Sequence, residues 1–492
     1  MSDTPRLTTK VLLFLTLWLA GAACTAPAPA PIPDADLDGG GPPLPIHVLF
    51  NVHGHNYSGD DGPLASASDK LPIYERHKEQ ILFVRDTAEA NGLKVSFQLN
   101  GEYARDARLL DADAPATLAE LSAAGHSIGT HTHPFAFTGP NEYWTPYPPS
   151  VADPTSADLI VSSHVDELVA TLGHPIRHLD AALNWLATPE MSAKYGELMD
   201  RYALDIEPAG EAFSCTRWGH FPWTPFRRRA GTASSADPAG PWIAIPTHSQ
   251  TGLEIPQGAH ALSNLLPQLK RHFVALFAQR EYARRQGTDR VWTIGFMTHP
   301  SEQLLHPSFR ADVAELMAWL ATWAARPADG PVVAFVNDEA VADAFVAWEA
   351  EHPGVSSFDF DQEAYDRGEE PAYPYDLPGM VLGVRDTDLV GELEDWADRG
   401  VVAFQLAHRT IERRDSGRAC GEIASVGPPE TPLYLLWSAS GDATTVDLSA
   451  RHAGTLHVKD GVTAEVREVD AASVPVGDVP VVVSPDASIL AP

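Results

Sequence analysis

The chain is short of cysteine, of basic residues and of long apolar runs. It holds 3 cysteines in 492 residues, so at most one bridge can form within it. Its 34 lysines and arginines face 66 acidic residues, a formal net charge of −32. That balance excludes nucleic acid and anionic lipid surfaces as partners, because both would be repelled. Residues 11–20 form the one long apolar run, which is too short to span a bilayer comfortably, and no other run approaches that length. What remains is room for a large catalytic domain and a smaller one.

The apolar run has a setting. Arg6 and Lys10 precede it; Gly21, Ala22, Ala23 and then Cys24 follow. This order resembles a bacterial lipoprotein signal, which implies a signal peptide over 1–23, lipid on Cys24 and a protein tethered in the cell envelope. Gly21 stands where that pattern prefers a larger apolar residue, and ordinary cleavage near Ala23 is the other reading. Residues 24–45, rich in Ala, Pro, Gly and Asp, read as a disordered tether. With Cys24 acylated, Cys215 and Cys420 are left either to pair or to stay as buried thiols.

Between residues 46 and 352 apolar runs of strand length alternate with helical patterns. The runs fall at 46–52, 94–99, 126–131, 176–179, 202–206, 242–246, 291–297 and 332–336. Strand–helix alternation predicts an α/β fold with a parallel sheet, and eight candidate strands predict a (β/α) barrel of seven or eight strands. A last helix starts after Asn337 as N-cap and stops by Pro353. In such a barrel the chemistry gathers where the strands end. The residues just past the runs are His53 and His55, Asn100 and Glu102, His131 and His133, Asp180, Asp205 and Glu207, His248, His299, and Asn337 and Asp338. Metal ligands, carboxylates and amides fill nearly every place, which points to an enzyme.

Two of these places carry His-x-His. Side chains at i and i+2 of a strand share a face, so His131 and His133 can reach one ion, and His53 and His55 can do the same. Three neutral imidazoles suit zinc or a similar divalent metal and leave a fourth position open for water.

The segment Gly125-His126-Ser127-Ile128-Gly129-Thr130-His131 resembles the second motif of the NodB-type polysaccharide deacetylases. Gly295-Phe296-Met297-Thr298-His299-Pro300 is similar to that family's late motif, and residues 176–181 lie where it carries an arginine-containing motif. The resemblance spans about 44–352. It implies a metal-dependent hydrolase that removes acetyl groups from an extracellular polysaccharide, with His299 as general acid. The chain departs from the pattern at two points. The family's first motif has two adjacent aspartates, where Asn51-Val52-His53-Gly54-His55 has none, and Phe135 stands where its second metal histidine belongs. The implied metal set is therefore His131 and His133 with His53 or His55. Asp180 and Asp205 lead the candidates for general base, with Asp60 and Glu207 behind them.

Residues 353–430 read as a linker or strap, and 431–492 as a small C-terminal antiparallel β-domain similar to the accessory sandwiches of glycoside hydrolases. Two other functions stay open. One is a glycoside hydrolase using two carboxylates among Glu102, Asp180, Asp205, Glu207 and Asp338. The other is a non-catalytic surface carbohydrate-binding protein, for which the missing aspartate pair is the best argument. An amidohydrolase-type variant is weakened because no lysine follows a mid-barrel strand.

Overall fold

The first strand, β1 (Ile46–Gly54), is buried along its whole length. The structure, a computed structural model, describes residues 44–55, 67–137, 144–146, 153–181, 188–208, 223–230, 235–246, 266–287, 290–298, 309–324, 332–358, 387–408, 411–414, 422–425 and 431–490. Residues 1–43 of the expected signal and tether, with Cys24, and also Asp60, Cys215, His248, His299 and Cys420 lie outside the described residues, whereas Leu44, at the end of the expected tether, accepts from Arg280 through its carbonyl.

After β1 come α1 (Ala67–Ala90), β2 (Ser96–Leu99), α2 (Gly101–Leu110), α3 (Ala114–Ala123), β3 (Ser127–Thr132), β4 (Phe135–Phe137) and β5 (Trp144–Pro146). Then follow α4 (Pro154–Leu172), β6 (Leu179–Ala181), α5 (Pro189–Tyr202), β7 (Ile206–Pro208), β8 (Phe226–Arg228) and β9 (Trp242–Ile245). This half of the chain closes with α6 (Leu266–Arg285), β10 (Trp292–Thr298), α7 (Phe309–Ala324), β11 (Val333–Phe335) and α8 (Asp338–Glu351). Strands β10, β1, β2, β3 and β6 form a parallel sheet in that order, and β11 pairs with the start of β1. A parallel bridge, His178 to Ile206, carries the order on to β7, which pairs with β9. Thr293 N donates to Trp223 O at 2.8 Å, bringing the segment before β8 alongside β10. Among the described residues no ladder joins β9 to β10. The architecture is thus mixed α/β around a parallel sheet, and the expected closure into a barrel is not drawn by these pairings.

The two faces of β1 have different neighbours. Val48, Phe50 and Val52 enter the main core with apolar residues of the flanking helices, such as Val84, Ile160, Phe273 and Leu316. Leu49, on the opposite face, packs in a smaller cluster with Ile206, Ile243, Val341 and Phe345. Helix α8 supplies the last two and so closes the end of the sheet where the strands begin. Its start matches the sequence reading: the Asn337 side chain accepts from Ala340 N at 2.8 Å.

The second region contains β12 (Thr387–Glu392), β13 (Val401–His408), β14 (Ile411–Arg414), β15 (Glu422–Ser425), β16 (Thr431–Ser438) and β17 (Thr444–Val446). It continues with β18 (Thr455–Asp460), β19 (Val466–Asp470), β20 (Val474–Val476), β21 (Val481–Ser484) and α9 (Ala487–Leu490). Six strands form an antiparallel sheet in the order β12-β13-β16-β21-β18-β19. The stretch 353–430 is therefore not only a linker, since β12 and β13 belong to this sheet. Their alternation is weak because Phe404 and Leu406 face the main core while Val401 and Ala403 join a second cluster on the other side. Phe404 lies 6.1 Å from Trp323 and Trp437 lies 5.7 Å from Phe277, ring centre to ring centre, which seats the sheet on α7 and α6.

Candidate metal centre

Strands β1 and β3 flank β2, and both carry histidines where they end. The register pairs His53 with Gln98 and Gln98 with Gly129, so His53 and His131 differ by two residues in height. Their rings stack at 3.9 Å. Gly129 has to lack a side chain, because a Cβ there would overlap the His178 ring on β6's approach. That packing lets β6 come close enough to register Asp180 opposite His131.

Four imidazoles meet at this point. His133 Nε2 lies 3.0 Å from His131 Nε2 and 3.0 Å from His55 Nε2. Ligand atoms of His53, His55 and His131 all fall within 4.8 Å of one another. The single proton or lone pair of His133 Nε2 can serve one of these neighbours by hydrogen bonding, whereas a common cation would serve all three nitrogens. Zinc–imidazole bonds of about 2.0–2.1 Å in a tetrahedron would set neighbouring nitrogens about 3.3 Å apart, so the donor set fits such an ion with little movement.

A carboxylate stands behind the rings. Asp180 Oδ2 is 3.2 Å from His131 Nδ1 and 3.3 Å from His53 Nε2. Holding the Nδ1 proton of His131 leaves its Nε2 lone pair facing His133, the usual second-sphere arrangement of a metal-binding histidine. Burial pushes the Asp180 carboxyl up, but the charge and hydrogen bonds of His131 and His53 outweigh it and hold it well below the ordinary carboxylate range. Burial, with His53 adding to it, lowers His131 to about 4. Burial also takes His133 well below its usual value. Both rings are therefore neutral at pH 7 and able to act as ligands.

Further histidines brace the site. His77 bonds the His55 carbonyl through Nδ1. His164 Nδ1 accepts from Gly101 N at 2.7 Å, and its Nε2 donates to Phe135 O at 3.2 Å, which ties α4 to the hairpin that follows His133. Below the rings lies a second polar layer. Gln98 Nε2 donates to Asp338 Oδ2 at 3.2 Å, Asp338 N donates to Ser96 Oγ at 2.9 Å, and His178 Nδ1 is 3.7 Å from Asp338 Oδ2. Burial pushes the Asp338 carboxyl up to about 7.

The structure thus brings together His53, His55, His131, His133 and Asp180. It does not bring Asp205. The apolar run expected at 202–206 is the end of α5 followed by a turn, and Asp205 precedes β7 instead of following it. There it pairs with Arg177 at 2.8 Å, and Arg177 also reaches Asp343 of α8 at 3.0 Å. Glu207 is held by Tyr195 at 2.9 Å and Arg228 at 2.6 Å. Glu102, in the first turn of α2, is 3.4 Å from Lys70 of α1. His77, His164 and His178 were not singled out from the sequence; they fall within helical or apolar stretches where a histidine carries no positional signal.

No family model matches the chain, and neither does any curated protein. Solved structures do resemble it. One is assigned as a polysaccharide deacetylase from Mycobacterium smegmatis, at 13% identity and TM-score 0.40, over 63% of this chain and 96% of that one. Another, from Pseudomonas aeruginosa PAO1 and assigned as a probable polysaccharide deacetylase, gives 14% and 0.41 over 65% and 99%. A third, assigned as a glycoside hydrolase/deacetylase from Parabacteroides distasonis, gives 10% and 0.41 over 81% and 83%. At TM-scores below 0.5 these likenesses add no weight to any activity.

Proposed function

We propose that the chain is a metal-dependent hydrolase that removes acyl groups, acetyl above all, from a polysaccharide, and that it is exported and held at the membrane by lipid on Cys24. The observation that carries the activity is the meeting of three buried imidazoles, His53, His55 and His131, and the half-buried His133 with one carboxylate behind them. Ordinary structural histidines bond backbone carbonyls or single acids, as His126 does with Glu89 at 3.2 Å. Here His55, His131 and His133 would hold a divalent ion, zinc by donor type, with His53 stacked over His131. Such an ion supplies Lewis acidity toward an acyl oxygen and toward water.

The chain's own residues do the rest. Asp180 fixes the tautomer of His131 and accepts from His53, so a proton arriving on either ring is stabilised by the same carboxylate. Its low pKa makes it an orienting acceptor and a weak base. His299, one residue past β10 in sequence, is the general acid of this reading and protonates the leaving amine or alcohol. The barrel-like wrapping of β7 and β9 beyond β6 belongs to the same proposal.

The test is metal content and acetate release measured together. The purified chain should carry one divalent ion, and His131→Ala should lose both the ion and acetate release from acetylated glycans. Metal-free protein that binds no ion at neutral pH would end the reading. Membrane association unchanged in Cys24→Ala would end its anchoring part. A second reading has one observation in its favour: burial pushes the Glu207 carboxyl up while Asp180 is held low, the division of labour of a glycosidase pair. Reducing-sugar release that survives chelation, without acetate, would select it.

A further inference from the structure

The polar layer beneath the imidazoles has a chemistry that no step of the proposed reaction uses. Asn51 and His53 alternate along β1 onto the face opposite Val48, Phe50 and Val52. Asn51 pairs in register with Ser96, Gln98 pairs with Gly129, and the His178 ring covers Gly129. Asp338, the first residue of α8, reaches the same place, with its N–H on Ser96 and its Oδ2 on Gln98. Two strands, the approach to β6 and a helix start thus deliver Asn51, Gln98, His178 and Asp338 to one interior point. All four are fully buried.

Six of their side-chain atoms have no hydrogen-bond partner among the described residues: Asn51 Nδ2 and Oδ1, Gln98 Oε1, both ring nitrogens of His178, and Asp338 Oδ1. Buried polar atoms without partners are few in folded proteins, and a cluster of them marks a bound group. His178 Nδ1 lies 3.7 Å from Asp338 Oδ2, too far for a direct bond. One oxygen atom can reach both at about 2.8 Å.

The mixture of donors and acceptors selects the ligand. Asn51 Nδ2 offers protons, whereas the two amide oxygens and Asp338 Oδ1 offer lone pairs. Burial lowers His178 to about 4, so at pH 7 its neutral ring donates through one nitrogen and accepts through the other. A metal cation would face the amide protons and the imidazole N–H. An anion would face the carboxyl and both amide oxygens. Water donates and accepts, and at about three bonds each roughly two molecules would serve the six atoms.

We propose that Asn51, Gln98, His178 and Asp338 enclose a buried water site, and that its waters hold the His178 ring against Gly129 and so set the height of Asp180 behind His131. The four are then positioning residues of the metal centre, acting through Asp180. This second half rests on the metal centre of the hydrolase reading and deepens it; the water site stands on the unpartnered atoms alone.

The experiment is a crystal structure of the full chain, with thermal unfolding and zinc titration of the parent, Asn51→Leu and Asn51→Ser. Density should show water within hydrogen-bond distance of Asn51, His178 and Asp338. Asn51→Leu keeps the size of the side chain and should lower the thermal midpoint, because the waters lose partners while the other polar atoms stay buried. An amide that bonds nothing would give the opposite sign, since leucine is buried at no polar cost. Zinc affinity should fall by about threefold in Asn51→Leu, less than the ~10–100-fold of groups bonded directly to ligating histidines. Asn51→Ser, whose hydroxyl and smaller size admit a further water, should recover most of both losses. Absence of water density, a metal ion in its place, or a raised midpoint in Asn51→Leu would overturn the water site. A lowered midpoint with unchanged zinc affinity would overturn the positioning role. A parent that binds no zinc ends the metal reading and the positioning role with it, while density and midpoint still decide the water site.

Discussion

Gly129 shows how one missing side chain sets the distance between two strands. The His178 ring occupies the space its Cβ would need, and Asp180, two residues on, is then registered with His131. Gly129→Ala should therefore cost about 1–3 kcal/mol of stability, as overpacking of a filled interior does. It should also move Asp180 away from His131 and weaken metal affinity. Thermal unfolding and metal titration of the variant check both, and unchanged values in both would refute the argument. At this scale the sequence was informative about the ligands and silent about their supports. His53, His55, His131 and His133 could be placed on shared faces by counting alternate residues. Asp205 could not, because a shift of three or four residues in where α5 ends and β7 begins moves it to the opposite end of the strand. The Thr188-Pro189-Glu190 start of α5, with the Thr188 hydroxyl accepting from Met191 N at 3.2 Å, was the available signal for that helix.

At the scale of elements, β18 shows where alternation misleads. Leu456 and Val458 read as its inner face, which assigns His457 and Lys459 to solvent. The sheet instead has both faces covered, and Lys459 is fully buried opposite Val482, a residue of the main core. Its Nζ has no hydrogen-bond partner among the described residues, and burial lowers its pKa. A buried base of lowered pKa binds fewer protons folded than unfolded below the usual lysine range. Stability should then rise with pH up to about 10.4 from this group. Lys459→Met keeps the length and removes the charge. It should raise stability by roughly 1–3 kcal/mol at pH 7 and abolish that alkaline gain. Chemical denaturation at pH 7 and 10 decides it; a variant less stable than the parent at both would show an ionic role for Lys459. The same double coverage hid β13, which lies in the stretch read as a linker or strap.

For the whole molecule the buried histidines dominate the response to acid. Burial lowers His77 to about 4, His164 to about 3 and His178 to about 4. Each is neutral when folded and takes up a proton on unfolding once the pH drops below about 6.5. With more protons bound to the unfolded chain, stability rises with pH across this window and is lost as pH falls from 6.5 toward 4. Each such group contributes a slope of about 1.4 kcal/mol per pH unit. Asp338, pushed up to about 7, works the other way between roughly 3.9 and 7, since it is already protonated in the folded chain. One carboxyl against three imidazoles leaves a net of two protons, about 2.7 kcal/mol per pH unit, and the histidines win. From pH 6.5 to 4 that slope removes up to about 7 kcal/mol, a large share of the 5–15 kcal/mol typical of folded proteins. Circular dichroism from pH 7 to 3.5 should show a cooperative loss of structure with a midpoint above pH 4. Added zinc should move the midpoint down in the parent chain and leave it unmoved in His131→Ala, because an ion that requires neutral imidazoles stabilises only the folded form. A fold intact at pH 3.5 would mean that protonation of these rings is accommodated in place, and the closed interior described for them would be wrong.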